Sequence, residues 1–322
     1  MIVESPLELI FHDLFYRLRN FSEGHDVFLK LEGFNVSGSI KMKTAIGLIE
    51  DLEQRGIAKP RETVIVESSS GNLGIALSMV CAIKGYRFIC VTDPNVNRAN
   101  VRGMELYGAE VIIVKDCDTA GGYLTARFRA IDDILASEAN AVWLNQYNNI
   151  ANKNVHARKT AVEIAREFDK IDWMFVGAGT TGTLAGICEG LRLKFPKVNI
   201  VAVEPVGSVT FGGKPGKRHI PGIGTSERPP LADLTNPDRV IAVTEKATVD
   251  CCLSFVQDYN LLVGGSTGAV LSAIKQLSPE FRTGDTIVAI SPDLGDKYLD
   301  TIYSKDWVDS VISTEEKVLS DS

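Results

Sequence analysis

Histidine is scarce in this chain, four in 322 residues, and none of the six cysteines forms a C-x-x-C pair. No metal-ligand spacing is legible, so a zinc centre or a disulfide framework is excluded as the organising feature. Most of the cysteines lie in apolar runs such as LSMVCAIKG and LAGICEG, where a reduced thiol acts as a small hydrophobe. That usage fits a cytoplasmic chain. Basic charge is also lacking: 34 Lys and Arg stand against 41 Asp and Glu, a net charge of −7. No global positive field exists to hold a nucleic-acid backbone or an anionic bilayer. Apolar runs fall well short of the roughly 20 residues a membrane helix needs, and residues 1–15 lack a basic segment followed by an apolar block. A chain that is neither secreted nor membrane-inserted is expected.

What the sequence does have is alternation. β-Branched runs at 27–32, 63–68, 87–93, 110–116, 141–146, 173–179, 199–205, 239–245 and 286–293 read as strands. Between them apolar residues recur at helical spacing, as in Ala45, Leu48, Ile49 and Leu52. Strand–helix alternation implies an α/β protein of doubly wound parallel sheets with helices on both faces, and the length suits about two such domains. Ligands of open parallel sheets bind at the carboxyl ends of the strands. Three small-residue loops lie at such ends: FNVSGSIKMK, ESSSGNLG and GAGTTGT. Each leads into a helical pattern, where free N–H groups and the positive helix end favour an anion.

Two chemistries compete for the glycines of the third loop. Gly177, Gly179 and Gly182 fit G-x-G-x-x-G after a strand, with Glu204 ending the next strand, as a dinucleotide-binding unit requires. Thr180, Thr181 and Thr183 fill the gaps with hydroxyls, which suits a terminal phosphate better than a bridging pyrophosphate. Lys41, near the start of a predicted helix, sits where the dipole favours an uncharged amine, and such an amine can form a Schiff base.

GSIK, SSSGNLG, GTTGT, PGIG and GGSTGA follow one another in the order seen in a known family. The chain resembles, over nearly its whole length, the pyridoxal-phosphate β-replacement enzymes of the cysteine synthase and cystathionine β-synthase group. GGYLTARF, LNQYNN, GSVTFGGKP and GDKYLD bring it nearest to the branch that makes 2,3-diaminopropionate for siderophores. The resemblance implies a fold-type II enzyme, like the tryptophan synthase β chain, with pyridoxal 5′-phosphate as cofactor. It also implies small amino-acid substrates, a homodimer, and no metal, nucleic-acid or membrane partner.

By this resemblance Lys41 holds the cofactor and later moves the substrate's α-proton, Asn72 meets the ring oxygen, and Ser266 faces the ring nitrogen. Gly179, Thr180, Thr181, Gly182 and Thr183 hold the phosphate. Ser69, Ser70 and Gln146 match positions that receive the substrate carboxylate. Arg127, Tyr147 and Thr180 match residues tied to an O-phospho-L-serine donor, with L-glutamate as acceptor and a bound aminoacrylate between the half-reactions. O-Acetylserine with sulfide is the alternative pair, and a serine or threonine dehydratase and an NAD-dependent oxidoreductase are more distant ones. Met42 and Lys43 depart from the family's usual Asp and Arg, Leu73 replaces a common Thr, and Thr180 stands for Ser. The expected division is a small mobile domain at 38–145 and a large one from 1–37 plus 146–322, with a frayed acidic tail from 313.

Overall fold

The computed structural model describes residues 3–117 and 123–320. In chain order its elements are β1 (Phe15–Leu18), β2 (Asp26–Leu31), α1 (Lys41–Gln54), β3 (Val64–Ser68), α2 (Asn72–Lys84), β4 (Arg87–Thr92), α3 (Arg98–Leu106) and β5 (Glu110–Ile113). Then follow α4 (Leu124–Ser137), β6 (Ala141–Trp143), α5 (Ile150–Val155), α6 (Ala161–Glu167), β7 (Trp173–Gly177), α7 (Gly182–Leu191) and β8 (Asn199–Pro205). The chain ends with β9 (Arg239–Val243), α8 (Glu245–Tyr259), α9 (Gly265–Leu277), β10 (Thr286–Ser291) and α10 (Lys305–Ser320). Each of the nine expected strands is present. One was not foreseen: β1 pairs antiparallel with β2, so that sheet is mixed rather than parallel throughout. Its four residues, Phe-Tyr-Arg-Leu, are too few to show a period of two. The tail expected to fray continues α10 as far as Ser320. Gly121 and Gly122 of GGYLTARF lie outside the described residues.

Contacts divide the chain into two units, one of Met1–Leu9 with Lys41–Asn152 and one of Ile10–Ile40 with Lys153–Ser322. Where the expectation was 38–145, this unit starts at Lys41, takes in Met1–Leu9 and runs on to Asn152. The segment after 145 stays because it is bonded back to its own sheet: Gln146 N donates to Glu67 Oε2 at 3.0 Å and Asn152 Nδ2 to Gln146 O at 2.8 Å. The smaller unit holds a parallel sheet in the order β5-β4-β3-β6, its core built from Val64, Val66, Ile89, Val91 and Ile131. The larger holds β1-β2-β10-β7-β8-β9.

Alternation explains why the larger unit's strands read as continuous apolar runs. Trp173, Phe175, Val201, Val203, Ile287 and Ala289 enter one hydrophobic cluster with α8 and α9, while Met174, Val176, Ile200, Ala202, Val288 and Ile290 enter another with α6 and α7. Successive residues face opposite sides of a sheet, and here both sides are covered. Burying each Val, Ile or Phe side chain contributes roughly 1.5–3 kcal/mol. No helix among the described residues is long and apolar enough to cross a membrane.

Candidate active site

In the smaller unit Lys41 is the first residue of α1, and the side chains behind it anchor that helix: Met42 is fully buried and Lys43 is 1% exposed. Lys41 itself is only partly covered. Desolvation lowers its amine from 10.5 to about 8, against an opposing pull from the Glu67 carboxylate. The folded amine therefore releases its proton more readily than the unfolded one. Folding carries the full penalty of a desolvated ammonium below pH 8, and the penalty fades as pH climbs from 8 to 10.5. In the cofactor-free protein, Lys41→Met should be the more stable form at pH 7, and its lead over wild type should shrink toward pH 10. Urea midpoints of both proteins across that range check this.

At the carboxyl end of β3 the loop Ser68–Gly71 turns into α2, whose first residue is Asn72. Ser69 is buried, and its hydroxyl oxygen accepts Gly71 N at 3.3 Å and Gly74 N at 3.0 Å, which shapes the turn. Ser70 and Asn72 are partly open, and the Ser70 carbonyl accepts Asn100 Nδ2 at 3.1 Å. Gln146, buried, donates its side-chain amide to Ser68 O at 3.2 Å, with Tyr147 half-buried next to it in sequence. Arg127 lies 3.5 Å from Asp93, and its Nε is buried without a hydrogen-bond partner. Lys41, the Ser69–Asn72 loop, Arg127, Gln146 and Tyr147 thus share one unit.

Sequence reasoning missed Glu67. Its carboxylate is fully buried at the end of β3 and accepts Ser68 N at 2.7 Å, Gln146 N at 3.0 Å and Trp143 Nε1 at 3.4 Å. Burial raises it to about 7, while those donors and the charge of Arg127 pull it back down. The signal available was an acid inside an otherwise apolar strand, TVIVES, a position acids avoid unless paired.

In the larger unit the GAGTTGT loop runs from the end of β7 into α7, and Gly179 packs so closely that a Cβ there would lie 3.1 Å from Gly222 O. Thr181 adopts φ +66°, a left-handed conformation that β-branched residues resist. Its hydroxyl donates to Thr180 O at 2.7 Å, so it does not supply the free hydroxyl that the sequence suggested. Gly182 and Thr183 open α7, where first-turn N–H groups lack helical partners. Behind Thr183 stands His156, fully buried in a single π turn, His156–Thr160. Its Nε2 is 3.2 Å from Thr183 Oγ1 and its Nδ1 3.0 Å from Thr160 Oγ1. Ser266, buried, is the second residue of α9, two residues past the cap position Gly264. A Cβ on Gly222 would meet Ser266 Oγ at 3.6 Å, which sets the 220–224 loop beside both the glycine turn and Ser266. Glu204, the residue expected to meet a ribose, is buried, which raises its carboxyl, while Ser208, the Phe211 N–H, Arg218 and Thr210 pull it back down, and its Oε2 has no hydrogen-bond partner.

The chain matches the family model described as pyridoxal-phosphate dependent enzyme over residues 11–293. It belongs to that family. It is 41% identical over 311 residues to an N-(2-amino-2-carboxyethyl)-L-glutamate synthase of Ralstonia nicotianae, covering 96% of this chain and 92% of the relative. Among solved structures it is similar to O-ureido-L-serine synthase, with a TM-score of 0.84 and 29% identity over 95% of this chain and 98% of the other. The O-acetylserine dependent cystathionine β-synthase of Helicobacter pylori gives a TM-score of 0.87 and 26% identity, covering 94% and 100%. The protein is a pyridoxal-phosphate-dependent β-replacement transferase of fold type II. The dinucleotide reading of the third loop falls with that finding. The residues fit the cofactor: a phosphate only accepts hydrogen bonds, and the Gly179–Thr183 turn offers amide donors and contributes no carboxylate of its own. An aldehyde needs an uncharged amine, and Lys41 has one within reach of neutral pH.

Proposed function

We propose that this enzyme condenses O-phospho-L-serine with L-glutamate to give N-(2-amino-2-carboxyethyl)-L-glutamate and phosphate, a step toward 2,3-diaminopropionate. The observation that carries this reading is the 41% identity across 96% of the chain to the synthase of that name. Bound in the site, pyridoxal phosphate supplies an electron sink for the carbanion left when Cα loses its proton. The chain's own residues do the rest.

Lys41 anchors the cofactor and carries the α-proton, which suits an amine that titrates near 8. Because a phosphate only accepts, the direction of the chain behind the turn follows: Thr160 donates to His156 Nδ1, His156 Nε2–H donates to Thr183 Oγ1, and the Thr183 hydroxyl donates outward. Ser266 would hold the ring nitrogen with a neutral hydroxyl, and Asn72 would hold the ring oxygen. The loop amides with Ser69, Ser70 and Gln146 receive the donor's carboxylate. Arg127, whose Nε stays unpartnered beside Asp93, serves the donor's leaving phosphate with Tyr147 and Thr180. A cytoplasmic homodimer belongs to the same reading.

Purified enzyme should release phosphate from O-phospho-L-serine faster when L-glutamate is added, with the condensation product identified by its mass. Equal turnover of O-acetyl-L-serine with sulfide would replace this assignment with a cysteine synthase-like one.

A further inference from the structure

Glu67 has no chemical role of its own in that reading, yet its carboxylate accepts the backbone N–H of both segments that form the donor-carboxylate site. Its Oε1 takes Ser68 N, which opens the serine loop, and its Oε2 takes Gln146 N. Gln146 answers across the same gap by donating Nε2 to Ser68 O at 3.2 Å, and Trp143 Nε1 reaches Oε1 at 3.4 Å. One buried carboxylate therefore fixes how far Gln146 stands from the Ser68–Gly71 turn.

We propose that Glu67 is a positioning residue whose ionised carboxylate holds Gln146 against the serine loop, so that the state of this one acid switches affinity for the donor's α-carboxylate. All three donors to Glu67 are N–H groups. Protonating the carboxylate replaces three charge-assisted bonds by neutral ones of roughly half the strength and sets an O–H donor among N–H donors at a fully buried site, so the hold on both segments loosens. Oε2 accepts one N–H, that of Gln146, while Oε1 accepts two, so the Gln146 segment is the more weakly held and the first to loosen.

The groups that face Glu67 are Lys41 from α1, Cys90 from β4 and Arg127 from α4, the last tied to Asp93 beyond β4. Both cations favour the ionised form. Burial outweighs them, which places the acid near 7 rather than near 4.5. The switch therefore falls in a physiological window, with tight binding above it and weak binding below.

This inference rests on the assignment of Gln146 and the serine loop to the donor carboxylate. L-Serine is the probe, since its side chain does not titrate, and its binding to the holoenzyme is followed by the change in cofactor absorbance from pH 5.5 to 8.5, each profile being corrected for the ionisation of the L-serine amino group, which is common to every variant. Wild type should bind about tenfold more weakly at the acid end, on the order of one hydrogen bond to a charged group. Glu67→Gln should bind about tenfold more weakly at pH 8 and show a flat profile, while Glu67→Asp restores the pH dependence. Wild-type affinity and an unchanged profile in Glu67→Gln would overturn the proposal. If that variant does not fold, a pH-independent Glu67→Asp or a flat wild-type profile does the same. Gln146→Ala separates the two layers: no weakening there removes the carboxylate site itself, whereas weakening with an unaltered Glu67→Gln removes only the role of Glu67.

Discussion

Lys41→Ala should reduce turnover by on the order of a thousandfold or more while leaving the protein folded. General acid–base transfer by one placed group is worth roughly 10²–10⁴ in rate, and here the same amine also anchors the cofactor. The next lysine of the helix cannot take over: Lys43 lies two residues on, about 200° around the helix, and is 1% exposed. Lys41→Arg should fail to the same extent, because a guanidinium stays charged where an uncharged amine is needed. Phosphate release from O-phospho-L-serine measures the loss. Borohydride reduction of the wild type, followed by peptide mapping, should place the cofactor label on Lys41. A Lys41→Ala variant that keeps a tenth of the wild-type rate would remove this lysine from the mechanism.

Much of this fold was legible because the physics is local. The nine core strands carry β-branched runs bounded by turns, and the loops that matter follow their carboxyl ends, where Lys41, Asn72 and Gly182 open or begin helices. What escaped detection depends on distant partners. Strand β1 owes its existence to pairing with β2, as Phe15 opposite Lys30 and Leu18 opposite Val27, and four residues cannot announce that alone. Glu67 becomes an acid of unusual affinity only once β6 brings Trp143 and Gln146 to it, some 76 and 79 residues later. Thr181 looked like a phosphate hydroxyl until its φ of +66° turned it onto its own backbone. His156 carried no motif, since its meaning lies in Thr183, 27 residues away.

Glycines at 186 and 190, which continue the spacing of four from Gly182, explain how His156 reaches that threonine. A Cβ on Gly186 would lie 2.6 Å from His156 Cβ, 2.6 Å from Lys153 O and 2.7 Å from Ala157 N; one on Gly190 would lie 2.7 Å from Ala161 Cβ and 2.8 Å from Ala157 O. This face of α7 is bare so that the π turn can lie against it. Gly186→Ala poses two opposed effects. Helix propensity favours alanine by about 1 kcal/mol. Overlap with backbone atoms, which cannot swing aside as a flexible side chain would, forces the two helices apart at a cost of roughly 1–3 kcal/mol or more. With three contacts under 3 Å the steric effect wins, and Gly186→Ala should be destabilised by about 2 kcal/mol, with Gly186→Val worse. Gly103, inside α3 with nothing within 4 Å of its Cβ position, is the internal control. There the same substitution meets no overlap and should stabilise by up to about 1 kcal/mol. Separation at Gly186 also pulls His156 from Thr183, so the variant should release pyridoxal phosphate more readily than wild type during dialysis. Thermal melting of both variants and cofactor absorbance after dialysis read the two effects apart, and a stabilised Gly186→Ala that keeps its cofactor would show that α7 and the π turn do not need this close approach.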